Sequence, residues 1–381
     1  MKTLYPGVFL SLIVYSCGLF ESDNENNNLD MVYIALQGLD QVGIVNSGNG
    51  ELKVVDIDYN PQMKETPHFI VIDEINRYWF VTTIVSGYVG RYNMDTDELI
   101  DTLFIGDSPA LMVANEIDKK LYVSRMMPMG SMMTGSMSTV VQEIDYSDSS
   151  KMELSNEFSI DSPAPHGIAI NSTGSEVFVT SNTADWIYKI TIATGEISGK
   201  VMDASIGNYP NNVTQRLKPI QVVSIEDSLL FVACSAGIWV NPHTGDPDTL
   251  SGLVQLWNSN TLTWIESFQF SWNSSPWHII QSPVNREVYV VLSGDVLYSG
   301  SAGIACLTFE SDTLALKWET HSESFETLHG IDVSSDGERI YVSGRKDGNL
   351  HICNGGTGKL ERSISLGNNP LAGGVQVFSS P

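Results

Sequence analysis

Apolar residues in this chain fall in short alternating runs. YWFVTT (78–83), LYVSR (121–125), VFVTSN (177–182), LLFVAC (229–234), VYVVLS (288–293) and IYVSGR (340–345) set aromatic or β-branched residues at every second position, and VYIALQ (32–37) is a seventh copy. A two-residue period is that of a half-buried strand. Each of the first six follows a run opened by proline or leucine: TPHFIVI (66–72), SPALMVA (108–114), APHGIAI (164–170), KPIQVVS (218–224), SPWHII (275–280) and TLHGIDV (327–333). The seventh opening, NPLAGGVQV (369–377), lies at the far C-terminus, while the second strand that should follow it lies at the N-terminal end. Turns rich in Gly, Asn, Asp and Thr then separate two further strands, as in NSGNGEL (46–52), NMDTDEL (93–99), TIATGEI (191–197) and NGGTGKL (354–360). No stretch has helical periodicity. The openings recur 42 to 57 residues apart, a period that indicates an array. The pattern predicts an all-β fold, a seven-bladed β-propeller of four-stranded antiparallel blades. The C-terminal strand completes the first blade and removes the open sheet edges.

Strand order also predicts two unlike faces. Turns joining first to second strands are short, as in DEIN (73–76), NEID (115–118), NSTGS (171–175) and SSDGE (334–338). The long segments 125–138, 202–218, 235–252, 293–302 and 319–327 all belong to the opposite face. Long loops on a rigid scaffold carry function, so the loop-rich face is the expected working surface. His68, His166, His278 and His329 open first strands there, at the mouth of the central channel. His243 and His321 are expected in its loops, and His351 in a third strand.

Composition narrows the function. With 45 acidic against 20 basic side chains, the net charge of −25 argues against a nucleic-acid surface. Lys2 precedes an apolar run, Leu4 to Tyr15, that is too short to span a bilayer and reads as a secretory signal over 1–16. Val14-Tyr15-Ser16-Cys17 resembles a bacterial lipoprotein box, making Cys17 the expected lipidation site, with residues 17–31 as a polar tether and 32–381 as the propeller. The expected location is the bacterial cell envelope, periplasm or outer membrane, with membrane contact through the anchor alone. Cys234, Cys306 and Cys353 have neither zinc nor haem spacing and read as small buried hydrophobes.

The segment PHGIAINSTGSEVFVTSNTADWIYKITIATGEI (165–197) resembles a repeat of the YVTN-type propellers, which are related to the lactonase-like propellers. The resemblance spans 32–381 and implies a seven-bladed propeller, with export in many members. It implies little about activity, because the fold hosts binding proteins, enzymes and electron-transfer modules. In that family the Pro-His-Gly histidine serves the strand opening by hydrogen-bonding neighbouring backbone.

Three kinds of chemistry fit the residues. The first is binding of a protein or small ligand on the loop-rich face. The second is a copper site. MMPMGSMMTGSM (126–137) brings Met126, Met127, Met129, Met132, Met133 and Met137 between the blades opened by His68 and His166, and thioether with imidazole suits Cu(I). The same loop also reads as an adaptable apolar contact surface. The third is lactone hydrolysis at the channel mouth, with His166 or His329 as acid–base group and Arg125 or Arg345, which end second strands, holding an anionic substrate. No nucleophile elbow, zincin helix or phosphate loop is present, so the balance leans away from an enzyme.

Overall fold

The computed structural model describes residues 30–106, 108–126, 139–202, 217–226, 228–240, 247–295, 297 and 299–379. Signal, lipidation site and most of the tether therefore lie outside the described residues, as does the Met-rich loop beyond Met126. Seven four-stranded antiparallel sheets form a closed ring. Blade 1 takes its innermost strand, Ala372–Ser379, from the C-terminus and its other three strands from Asp30–Leu36, Gln41–Asn46 and Leu52–Asp56. Asp30 and Met31, expected in the tether, already pair with Ser379 and Phe378 in this closing ladder. The innermost strands of blades 2 to 7 are Pro67–Asp73, Pro109–Asn115, Pro165–Ile170, Pro219–Ile225, Pro276–Gln281 and Leu328–Val333.

Alternation places one side of each sheet against the next blade. Phe80 and Val89 of blade 2, for example, pack with Met112, Leu121, Val123 and Tyr146 of blade 3. The core is thus a set of interblade seams, and the three described cysteines lie in those seams as free thiols.

The opening phrase has a shared backbone form. Register shifts by a bulge in every innermost strand, between Pro67 and Ile70, Pro109 and Met112, Pro165 and Ile168, Pro219 and Gln221, Pro276 and Ile279, and Leu328 and Ile331. In blade 1 the same irregularity falls between Ala372 and Val375. A bulge re-aims side chains locally. The glycine after the phrase histidine in blades 4 and 7 is required by closeness: a Cβ on Gly167 would sit 2.9 Å from Gln221 Cα, and one on Gly330 2.5 Å from the Gly373 carbonyl oxygen.

The Thr or Ser near the end of second strands is a staple between blades. Thr82 Oγ1 donates to the Ala110 carbonyl (2.8 Å), Ser124 Oγ to that of His166 (2.5 Å) and Ser343 Oγ to that of Gly373 (2.6 Å). The buried Thr180 breaks the series, because the imidazole of His166 occupies the corresponding Ile220 carbonyl at 2.7 Å. Thr180 Oγ1 finds no partner among the described residues.

The expected asymmetry of the faces holds. First-to-second-strand turns are short, and the long connections begin and end on the opposite face. One of them, 235–252, carries its own hairpin of Gly237–Val240 and Pro247–Leu250. His321 is not in a loop: it ends the outermost strand of blade 6, Thr313–His321, where Nε2 meets Glu319 at 2.8 Å. His243 lies outside the described residues.

Candidate functional site

Four of the phrase histidines meet at the loop-rich end of the axis. Ring centroids of His68 lie 6.3 Å from His166 and 5.8 Å from His329, and His278 lies 4.9 Å from His329. All are at most 5% exposed. They come from blades 2, 4, 6 and 7, and the bulges turn them inward. His278 stands one place later than the others in its phrase. It still joins the group and packs on Phe69 at 5.8 Å, while Trp277 takes the earlier place and packs on His329 at 5.6 Å.

Space for the rings comes in part from blades 3 and 1, which bring the small residues Ala110 and Gly373 to the equivalent strand position, while blade 5 brings Ile220. A Cβ on Gly373 would lie 2.9 Å from the His68 carbonyl oxygen and 3.0 Å from Gln37 Nε2. The paired glycines of NPLAGGVQV are thus the counterpart of the histidine opposite them.

Hydrogen bonds fix two tautomers. Arg345 can only donate, and its Nη1 holds Gln37 Oε1 at 2.8 Å. Gln37 therefore turns Nε2 to His68 Nδ1 at 2.5 Å, so Nδ1 accepts and the ring proton of His68 sits on Nε2. His166 is the reverse: Nδ1 donates to the Ile220 carbonyl, leaving the lone pair on Nε2. His68 Nε2, His278 Nε2 and His329 Nδ1 find no partner among the described residues. Buried polar atoms are normally paired, so three orphans in one cluster require an explanation.

Burial dominates the electrostatics. It pushes His68 and His329 well below the ordinary histidine range, with the neighbouring imidazoles and the Arg345 charge adding to the effect. His278 is lowered to about 3 by burial and then by His166. His166 is lowered by burial, against its backbone bond. At neutral pH this is a cluster of uncharged rings beside one guanidinium, that of Arg345, whose pKa burial lowers from the ordinary arginine range.

Arg125 and Arg345 are not equivalent. Pro109 pairs with Arg125, whereas Leu328 pairs with Gly344, so Arg345 stands one residue further along. A one-residue offset sends the side chains opposite ways. Arg345 reaches the His68 network. Arg125 binds Gln142 Oε1 at 3.0 Å in its own blade and, at 2.6 Å, the carbonyl of Ile105, which follows the outermost strand of blade 2.

Of the proposed copper ligands, His68 and His166 are brought together, and Met127, Met129, Met132, Met133 and Met137 lie outside the described residues. Met126 is described, and its backbone N–H bonds the Ser108 carbonyl. Among the described residues no group of three or more His, Cys, Asp or Glu side chains is arranged to hold a metal ion. His68 also presents N–H where a ligand needs a lone pair. Sequence reasoning missed Gln37, the residue that sets this. Its signal was the polar end of VYIALQ, the strand completing the blade that brings the glycines.

No protein-family model matches the sequence, and no curated protein matches it. Solved structures do. A protein of unknown function from Desulfotomaculum acetoxidans is 13% identical, with a TM-score of 0.66 over 91% of this chain and 98% of that one. A protein described as a candidate 6-phosphogluconolactonase from Bacteroides fragilis is 11% identical, with a TM-score of 0.64 over 93% of this chain and 100% of that one. Hydrazine synthase from Kuenenia stuttgartiensis is 12% identical, with a TM-score of 0.62 over 82% and 95%. At such identities the similarity carries the fold alone: the chain is a seven-bladed β-propeller with lactonase-like structural neighbours.

Proposed function

We propose that this propeller is a binding protein that takes a small oxygen-bearing ligand, a carbonyl or carboxylate compound, at the axial end of its loop-rich face. One observation carries this reading: three buried imidazole nitrogens of a single cluster, beside Arg345, have no partner among the described residues. An N–H such as that of His68 suits a ligand oxygen, and the guanidinium favours an anionic one. Binding is favoured over catalysis because a general acid–base group works best with a pKa near the operating pH, and burial lowers all four histidines.

The second reading is a lactone hydrolase related to the YVTN and lactonase-like propellers. His166 supports it, because a ring anchored through Nδ1 to a backbone carbonyl holds its Nε2 lone pair in a fixed direction. Thermal-shift titration with acetate, gluconate and glucono-δ-lactone separates the two, with lactone turnover followed in parallel by pH-stat. Saturable stabilisation that disappears in His329→Leu, without turnover, supports binding. Turnover lost in His166→Ala moves the conclusion to the hydrolase, and no response to any probe removes the site.

Export and lipid anchoring at Cys17 complete the proposal. Asp30 and Ser379 pair at the short-turn face. A tether from Cys17 to Asp30 reaches at most about 45 Å at ~3.5 Å per residue, and it would turn the loop-rich face away from the membrane. Loss of membrane association in Cys17→Ala tests this.

A further inference from the structure

A second site, on the opposite face, goes beyond that reading. The axis opens on the short-turn face into a cavity of about 330 Å³. Its walls are the outer halves of the innermost strands, with Val113, Ile170, Val223 and Ile280 among the lining residues. Phe69 closes its inner end and packs on His278, so this cavity is separated from the imidazole cluster by one aromatic ring.

The chemistry of the mouth is one-sided. Glu116 lines it, with Gln281, Ser224 and Gln376, and among the described residues lining it there is no Lys or Arg. Gln376 spends its Nε2 on Asp332 at 2.6 Å, which leaves its oxygen as an acceptor. Asp73 and Glu74 stand close enough to Glu116 to disfavour its ionised form by like charge, added to the effect of burial. Two cations of the surrounding turns are engaged elsewhere, Arg77 with Asp95 and Arg286 with Glu226. Ile75 and Ile117, 67% and 82% exposed, extend the apolar surface beside Glu116, whose carboxylate accepts from the Ile75 N–H at 3.2 Å.

We infer that this cavity binds a small organic cation, an alkyl- or arylammonium whose apolar body fills the channel and whose charge meets Glu116 at the mouth. An apolar pocket with a few convergent polar groups is the usual form of a small-molecule site. The apolar walls reject a fully hydrated inorganic ion, and a carboxylate at the mouth would meet Glu116 with like charge.

Calorimetric titration of the full chain with hexylammonium, hexan-1-ol and hexanoate tests the inference. Hexylammonium is expected to bind saturably and tightest, with Glu116→Gln weakening it about two- to fivefold while barely changing hexan-1-ol, as for a partly screened ion pair. Ile170→Trp, which fills the channel, should abolish binding of both. Should that variant fail to fold, the probe series on wild type and Glu116→Gln is decisive alone. His329→Leu should leave hexylammonium binding intact, which separates this site from the one on the loop-rich face. Absence of saturable binding, hexanoate binding as tightly as hexylammonium, or equal hexylammonium affinity in Glu116→Gln would overturn it.

Discussion

Acidification from pH 7.5 to 5.5 should destabilise the protein through its axial histidines. In the unfolded chain each histidine titrates near ~6.5, so at pH 5.5 it binds a proton whose free energy is about 1.4 kcal/mol. In the folded protein His68, His278 and His329 stay neutral over this range, because burial holds their pKa values far lower, His278 at about 3. The unfolded state then binds more protons, and stability present above the unfolded pKa is lost as pH falls. Three such residues remove about 4 kcal/mol, and His166 adds in the same direction. Asp332 and His321 oppose them: burial raises Asp332 to about 7, so its native form gains protons over the same interval and returns about 2 kcal/mol, and the Glu319 carboxylate raises His321, which acts in the same direction. Roughly 2 kcal/mol should be lost in net, read as the unfolding free energy from urea titrations at the two pH values. The diagnostic arm is His278→Gln, which cannot titrate and should lose about 1.4 kcal/mol less than wild type over the interval. Imidazole nitrogen shifts would report the same neutrality directly. Equal pH dependence in wild type and His278→Gln would refute the reasoning, since it would mean that His278 is protonated alike in both states.

The remaining predictions concern stability and metal. Asp332 accepts from Val377 N at 2.7 Å, Val333 N at 2.9 Å and Gln376 Nε2 at 2.6 Å, tying the closing strand to blade 7. Asp332→Ala leaves these donors unpaired and should cost about 3 kcal/mol, with faster amide exchange at 375–379 than in the other innermost strands. Thr82→Val removes a staple and should cost about 1–2 kcal/mol, whereas Thr180→Val, at a hydroxyl without a partner, should be neutral or stabilising in the same melts. Protein purified from copper-replete cells should carry well under one copper per chain, because His68 presents an N–H; one full equivalent that is lost in His166→Ala would restore the metal reading.

Sequence alone made the ring legible because its signals are local. A strand pair of fixed period, a turn and a permuted terminal strand each occupy a few consecutive residues, and closure follows from finding the final opening at the C-terminus. The site was legible only as a level along the axis. Whether four imidazoles meet depends on how the bulge in each opening phrase aims its side chains, which the residue types alone do not specify, and His278 shows the difficulty: one place late in sequence, it still packs on His329. Arg125 and Arg345 show the converse, two strand-end arginines that look alike until register separates them by one residue. The cavity on the short-turn face was hidden for a different reason. Val113, Ile170, Val223 and Ile280 line a channel, yet β-branched residues at those places read equally well as buried core.

The recurring phrase explains why the histidines cannot be uniform around the ring. Seven innermost strands share one axis, so a side chain placed there by every blade would compete for the same volume. Ala110 and Gly373, at the equivalent positions of blades 3 and 1, yield volume to the rings of His68, His166, His278 and His329. Where His166 reaches across to Ile220 it also displaces the hydroxyl that staples other blades. A histidine kept only to support its own strand opening would not leave Thr180 and three ring nitrogens without partners among the described residues. Each such loss works against stability by roughly 1–3 kcal/mol. The arrangement is intelligible if those nitrogens are satisfied by something that enters along the axis, which is why the orphaned atoms, more than the histidine count, point to a ligand.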